Sequence, residues 1–241
     1  MGDSNEEGTP LWLKILYWIV PTFGASGLLY LFRYFMKGDL YESKTKINGK
    51  TIIITGVDSE VGKATAIDLA KRDGKMYIAC QDIVKGEEAL KEIKKKTGKD
   101  DVHLLELNLA SLDSIREFSK KFHELENKLD ILISNHEVSF CGKSKTVEGF
   151  ERHLGENLLG PFLLINLLLD LLKKSPSRII LESSIAYRFG SINKDDIMWE
   201  NSYSRFKAYC QSKLATHLYA QELSKRLIGT EVTVLGRFSK F

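Results

Sequence analysis

The chain has 241 residues, room for one α/β domain and a short extra segment. Its composition, 43% apolar and 28% charged, argues against wholesale disorder, and a net charge of only +3 gives no signal for a nucleic-acid partner. Cys80, Cys141 and Cys210 are odd in number and widely spaced. They show neither metal-ligand spacing nor a disulfide framework, so they read as reduced thiols and no metal is expected.

Residues 1–10 form a tail with Asp3, Glu6 and Glu7 and no basic residue. The run 11–32 is mostly apolar, interrupted by Lys14 and Pro21. Its 22 residues satisfy the length of roughly 20 that a transmembrane helix needs. Trp12, Tyr17, Trp18, Tyr30 and Tyr34 lie towards its ends, where amphipathic rings favour the headgroup level. A cleaved signal peptide wants a basic start, and a core helix seldom has so long an apolar run. A single-pass anchor is therefore expected. Arg33, Lys37, Lys44 and Lys46 in the basic linker 33–49, and Lys50 just after it, put the larger C-terminal part in the cytoplasm by the positive-inside bias. The endoplasmic reticulum is the first choice of membrane and the mitochondrion the second.

From residue 50 the pattern alternates. Strands are expected over 51–55, 76–80, 102–107, 130–134, 178–182 and 231–235. Helices are expected over 62–72, 85–96, 112–126, 148–173 and 203–227. Lys94, Lys95 and Lys96 read as a solvated helix face. This order predicts right-handed βαβ units and a single Rossmann-like, doubly wound parallel sheet over 50–241. Its ligand crevice should lie beyond the carboxyl ends of the strands.

The turn Gly56-Val57-Asp58-Ser59-Glu60-Val61-Gly62 follows the first strand and opens a helix. It resembles the TGxxxGxG cofactor turn of the short-chain dehydrogenase/reductase family. Further along come Asn157, Ser184 and the pair Tyr209/Lys213 in a YxxxK spacing, in family order. The wording GKTIIITG, GPFLLINLLL and AYCQSKLA is similar to the retinol dehydrogenase branch, and the resemblance covers about residues 46–234.

Tyr209 and Lys213 share one helix face about a turn apart. A nearby ammonium should favour phenolate and lower the tyrosine pKa from about 10. The resemblance implies that Tyr209 exchanges a proton with the substrate oxygen and that Lys213 also binds the nicotinamide ribose. It implies that Ser184 hydrogen-bonds the reacting oxygen and Asn157 supports a proton-relay water. Gly56, Asp58, Ser59, Glu60, Val61, Gly62, Gln81, Asn108 and Asn135 would line the cofactor seat. NADP(H) is preferred over NAD(H) by branch resemblance, with a lipophilic retinoid-like alcohol or carbonyl as substrate and a homodimer as assembly.

The chain departs from the family at several points. Glu60 replaces the middle glycine of the turn. His136 and Glu137 replace small residues of an NNAG motif, Asn108 replaces an aspartate, and Gln81 replaces an arginine that holds the 2′-phosphate. Beyond residue 234 relatives continue into a Pro-Gly turn, a covering segment and another strand. Here residues 235–241 follow instead, implying a sheet short of an edge strand and a pocket short of its lid. Two functions are weighed: a membrane-anchored oxidoreductase, and a catalytically impaired or silent relative that acts by binding.

Overall fold

A computed structural model describes residues 17–18, 24, 26–31 and 45–239. Two units are distinguished, residues 1–43 with 240–241, and Lys44–Ser239. In the first, the described residues are helical, and the Tyr17 and Trp18 rings meet edge to face at 5.8 Å. No helix among the described residues is long and apolar enough to cross a membrane. Most of the run 11–32, where the span is expected, lies outside the described residues.

The second unit is built on six parallel strands: β1 (Thr51–Thr55), β2 (Lys75–Cys80), β3 (Val102–Glu106), β4 (Ile131–Ser134), β5 (Ser177–Ser184) and β6 (Val232–Ser239). Their order, β3-β2-β1-β4-β5-β6, reverses direction between β1 and β4, which opens a crevice at the carboxyl ends there. β1 is buried throughout because both sheet faces are covered. Ile53 faces a core shared with Leu132, Ile179 and Phe122, while its neighbour Ile54 faces one shared with Ile78, Ala66 and Ile93. That alternation is the period-two geometry of a strand read into two opposite cores.

Helices α1 (Glu60–Lys71), α2 (Ile83–Thr97) and α3 (Leu112–Leu125) begin on side-chain caps from Ser59, Asp82 and Ser111. Each cap satisfies a backbone N–H that has no partner within its helix. The helix predicted over 148–173 is instead divided: a turn at Arg152–Leu154, a π-helical turn at Gly155–Leu159, then α4 (Gly160–Leu167) and α5 (Leu169–Leu172). Pro161 opens α4, and Leu168 leaves the helical region with φ −102° and ψ 4°. α6 (Arg205–Arg226) is continuous, and Ser204 caps it. The last strand is longer than predicted. Residues 236–239 pair with β5 as far as Ser184, because β6 follows β5 along its whole length.

Candidate active site

The glycine turn after β1 is closely built. Gly56 sits at φ +71°, and a Cβ on it would lie 2.7 Å from the His136 Cα. A Cβ on Gly62 would lie 2.2 Å from the Gly56 carbonyl oxygen. Both positions therefore require glycine. Ser59 holds the turn by donating to the Gly56 carbonyl at 2.8 Å and accepting from the Gly62 N–H at 3.0 Å. Asn135 ties it to β4, its Nδ2 donating to the Gly56 carbonyl at 3.1 Å and to Ser59 Oγ at 3.2 Å.

Beside this turn is a cavity of about 330 Å³ lined by Gly56, Asp58, Ser59, Val61, Asn135, His136, Glu137 and Glu182. Three lining residues are acidic and none is Lys or Arg. Of the expected seat residues, Gly56, Asp58, Ser59, Val61 and Asn135 line it, and Gly62 shapes it by its lack of a side chain. Three others do not line it. Glu60 opens α1 with a side chain 90% exposed and paired to Lys63 at 3.0 Å. Gln81 is exposed just past β2. Asn108 spends its side-chain carbonyl on the Ala110 N–H at 2.9 Å, closing a local turn, and lines a separate polar cavity. With Glu60 outside the cavity, Glu60→Gly is expected to change NADPH affinity by no more than about threefold, the scale of a screened surface charge. Isothermal titration of the two proteins measures it; a tenfold gain would place that carboxylate against the phosphates.

Ser184 ends β5 at its carboxyl end, and Tyr209 and Lys213 lie along α6, all three buried. Ser184 Oγ accepts from the Ala186 N–H at 3.3 Å and lies near enough to Tyr209 to favour its phenolate, whereas Ser183 Oγ is buried without a partner. The Lys213 Nζ is 5.9 Å from the Tyr209 ring centroid. The expected lowering of the Tyr209 pKa is not what this geometry gives. Burial pushes the phenol up to about 12, and the Glu137 carboxylate opposes a phenolate, outweighing the lowering effect of Ser184. Glu137, whose role the sequence left unassigned, also engages the lysine. Its carboxylate forms an ion pair with Lys213 and accepts from the Tyr209 hydroxyl at 3.2 Å.

Asn157 sits in the π-helical turn and acts as a strut. Its Oδ1 accepts from the Val138 N–H at 2.8 Å, and its Nδ2 donates to the Val138 carbonyl at 2.9 Å and to Ser212 Oγ at 3.0 Å. Both amide hydrogens are thus committed to protein, and its backbone carbonyl accepts from Thr216 Oγ1 at 3.1 Å. The relay-water role expected of Asn157 has to compete with these bonds. His136 is likewise structural, its Nε2 2.9 Å from a Glu156 carboxylate that Arg152 also holds at 2.7 Å.

Two aromatic residues complete the site and carried no signal in the sequence. Phe140 packs on the Tyr209 ring at 4.7 Å, and Phe206 stacks on Phe140 at 6.3 Å. Both are roughly half exposed, which gives Tyr209 an apolar approach. Among the described residues no group of three or more His, Cys, Asp or Glu is arranged to hold a metal ion.

The short chain dehydrogenase family model matches residues 50–237, spanning the glycine turn, β1 to β5, most of β6 and the Tyr209 helix. The chain belongs to this family. Its relatives include several proteins named retinol dehydrogenase. Retinol dehydrogenase 13 of Homo sapiens is 48% identical over 212 residues, 87% of this chain and 64% of that protein. Retinol dehydrogenase 12 of Homo sapiens is 46% identical over 202 residues, 83% of this chain and 64% of that protein. The chain thus spans about 64% of the length of these two curated relatives. A crystal structure of an uncharacterized protein from Mycobacterium paratuberculosis superposes with a TM-score of 0.73 at 36% identity, covering 80% of this chain and 69% of that one. The Pseudomonas aeruginosa RhlG/NADP active-site complex superposes with a TM-score of 0.62 at 25% identity, covering 80% and 74%.

A nicotinamide dinucleotide is the cofactor that this fold implies, and the site meets it unequally. The turn end fits: the cavity lies against the glycine turn and the start of α1, where a helix N-terminus favours a pyrophosphate. At the other end Glu137 takes the two groups that would meet nicotinamide ribose and substrate.

Proposed function

We propose that the protein is an oxidoreductase that interconverts a lipophilic alcohol and its carbonyl, retinol and retinal being the favoured pair. One observation carries this reading: Tyr209 and Lys213 lie together and buried, with buried Ser184 at the end of β5, next to a closely built turn that keeps Gly56 and Gly62. The names of the relatives support a retinoid, as does the apolar flank of Phe140 and Phe206 beside Tyr209.

A bound nicotinamide cofactor would supply or accept the hydride. In the reductive direction the Tyr209 hydroxyl donates its proton to the carbonyl oxygen, and the Ser184 hydroxyl steadies the charge that grows there. Lys213 assists the tyrosine electrostatically by favouring its anion once Glu137 has withdrawn. A neutral phenol suits reduction, since the proton to be donated is already present. NADP(H) is preferred over NAD(H), in keeping with the branch resemblance and with the NADP of the RhlG complex. Membrane anchorage through 11–32, a cytoplasm-facing domain on the endoplasmic reticulum and a homodimer complete the reading. An anchor would hold the crevice near a substrate dissolved in lipid.

The second reading, a silent binding protein, is favoured by one contact pair, Glu137 on Tyr209 and Lys213. Purified full-length protein in detergent micelles, given NADPH and all-trans retinal, separates the two. Retinol formation that depends on NADPH supports the oxidoreductase. No turnover together with no NADPH binding supports the silent protein.

A further inference from the structure

We propose that Glu137 is a built-in competitor for the cofactor: its carboxylate occupies the hydrogen-bonding positions on Tyr209 and Lys213 that a nicotinamide ribose and a substrate oxygen require. The inference rests on the oxidoreductase reading and adds a specificity-determining and self-inhibiting residue to it.

Three observations carry it. Glu137 lines the cavity beside the glycine turn and also touches Tyr209 and Lys213, which do not line it, so it stands between that cavity and the buried pair. Its placement is fixed by the backbone on both sides. Before it, the Asn135 and His136 N–H groups both donate to Thr55 Oγ1 at 3.1 Å. After it, Val138 is held at N–H and carbonyl by Asn157. A side chain projected from so short a tether between two anchored residues has little freedom to leave by moving its backbone, so it must leave by rotation.

The third observation is the state of Lys213, whose side chain is only 2% exposed. A buried ammonium needs hydrogen-bonding partners, and Glu137 supplies an anion to it. Any ligand that approaches Lys213 must therefore displace a carboxylate as well as water. A dinucleotide brings two phosphate charges into the cavity, where Asp58 and Glu182 also lie, so an ionised Glu137 opposes it by charge and by position. The Glu137 side chain is 31% exposed, which leaves it a route to rotate towards solvent once Lys213 has another partner.

The test uses the full chain and two variants, Glu137→Gly and Glu137→Gln, with NADPH titrated by fluorescence and retinal reduction assayed alongside. The glycine variant removes bulk and charge. The glutamine variant keeps the bulk and serves if glycine disturbs the loop, which circular dichroism monitors. The expected result is NADPH affinity at least tenfold higher in Glu137→Gly, a smaller gain in Glu137→Gln, and higher turnover at fixed NADPH. Equal or weaker NADPH binding in the folded variants, with wild-type turnover intact, overturns the competitor role and leaves the oxidoreductase standing. Failure of wild type and both folded variants to bind NADPH overturns the oxidoreductase reading itself.

Discussion

Replacing Tyr209 by Phe is expected to lower the rate of retinal reduction by about 100- to 10,000-fold, the range over which a positioned general acid contributes. The substitution removes one hydroxyl and keeps the ring, so the packing against Phe140 at 4.7 Å and His153 at 6.0 Å persists and the protein folds normally. NADPH affinity should change little, or rise slightly, because Glu137 loses one of its two partners. A rate unchanged within twofold would remove Tyr209 from the chemistry. The pH dependence has a definite sign. Burial pushes the phenol up to about 12 and Glu137 adds to that effect, so the acid form prevails across the neutral range. Reduction, which consumes that form, should be flat with pH until strongly alkaline conditions. Alcohol oxidation needs the phenolate, so its kcat/KM should climb about tenfold per pH unit without levelling near neutrality.

How much of this could be read from the sequence depends on the range of the interactions involved. The alternation of β-branched strands with amphipathic helices is local, and it points to the right sheet class and to element positions within a few residues. The glycine turn is legible because conformation at Gly56 and Gly62 is a backbone demand that few residues meet. The break of the helix over 148–173 is marked in the letters by Gly160 and Pro161, but the π-helical turn at Gly155–Leu159 that precedes them is set by contacts remote in sequence. The reversal of the Tyr209 pKa is hidden because it too depends on remote contacts. Spacing four residues apart brings Lys213 to the tyrosine, but nothing local shows that Glu137, 72 residues earlier, reaches both groups. Glu60 illustrates the converse. Its letter suggests a charge facing phosphates, whereas the helix start turns the side chain outward to Lys63.

The fold has its own buried acid, placed at the opposite end of the sheet from the chemistry. Asp130 immediately precedes β4, with a side chain fully excluded from solvent. It accepts from the Thr51 N–H at 2.9 Å, Lys50 Nζ at 2.8 Å and Ser175 Oγ at 3.1 Å, and pairs with Lys128 at 3.1 Å. It thereby binds the starts of β1 and β4 to the segment entering β5. Burial alone would raise its pKa, but these donors together hold the carboxyl below its usual range. Asp130→Ala strands a buried N–H and two ammonium groups. The expected loss is about 3 kcal/mol, the lower end for breaking a buried pair because both lysines reach solvent. Urea unfolding at pH 7 measures it. A carboxyl with a depressed folded pKa contributes fully above its unfolded value of about 3.9 and loses that contribution as pH falls through the folded one. The gap between wild type and variant should therefore persist at pH 6 and close as the pH falls through the depressed value of the folded carboxyl. A gap that stayed constant into strong acid would assign the effect to packing. Since Asp130 lies at the amino ends of the strands, NADPH affinity of the folded variant should match wild type, separating what holds the sheet from what its other end does.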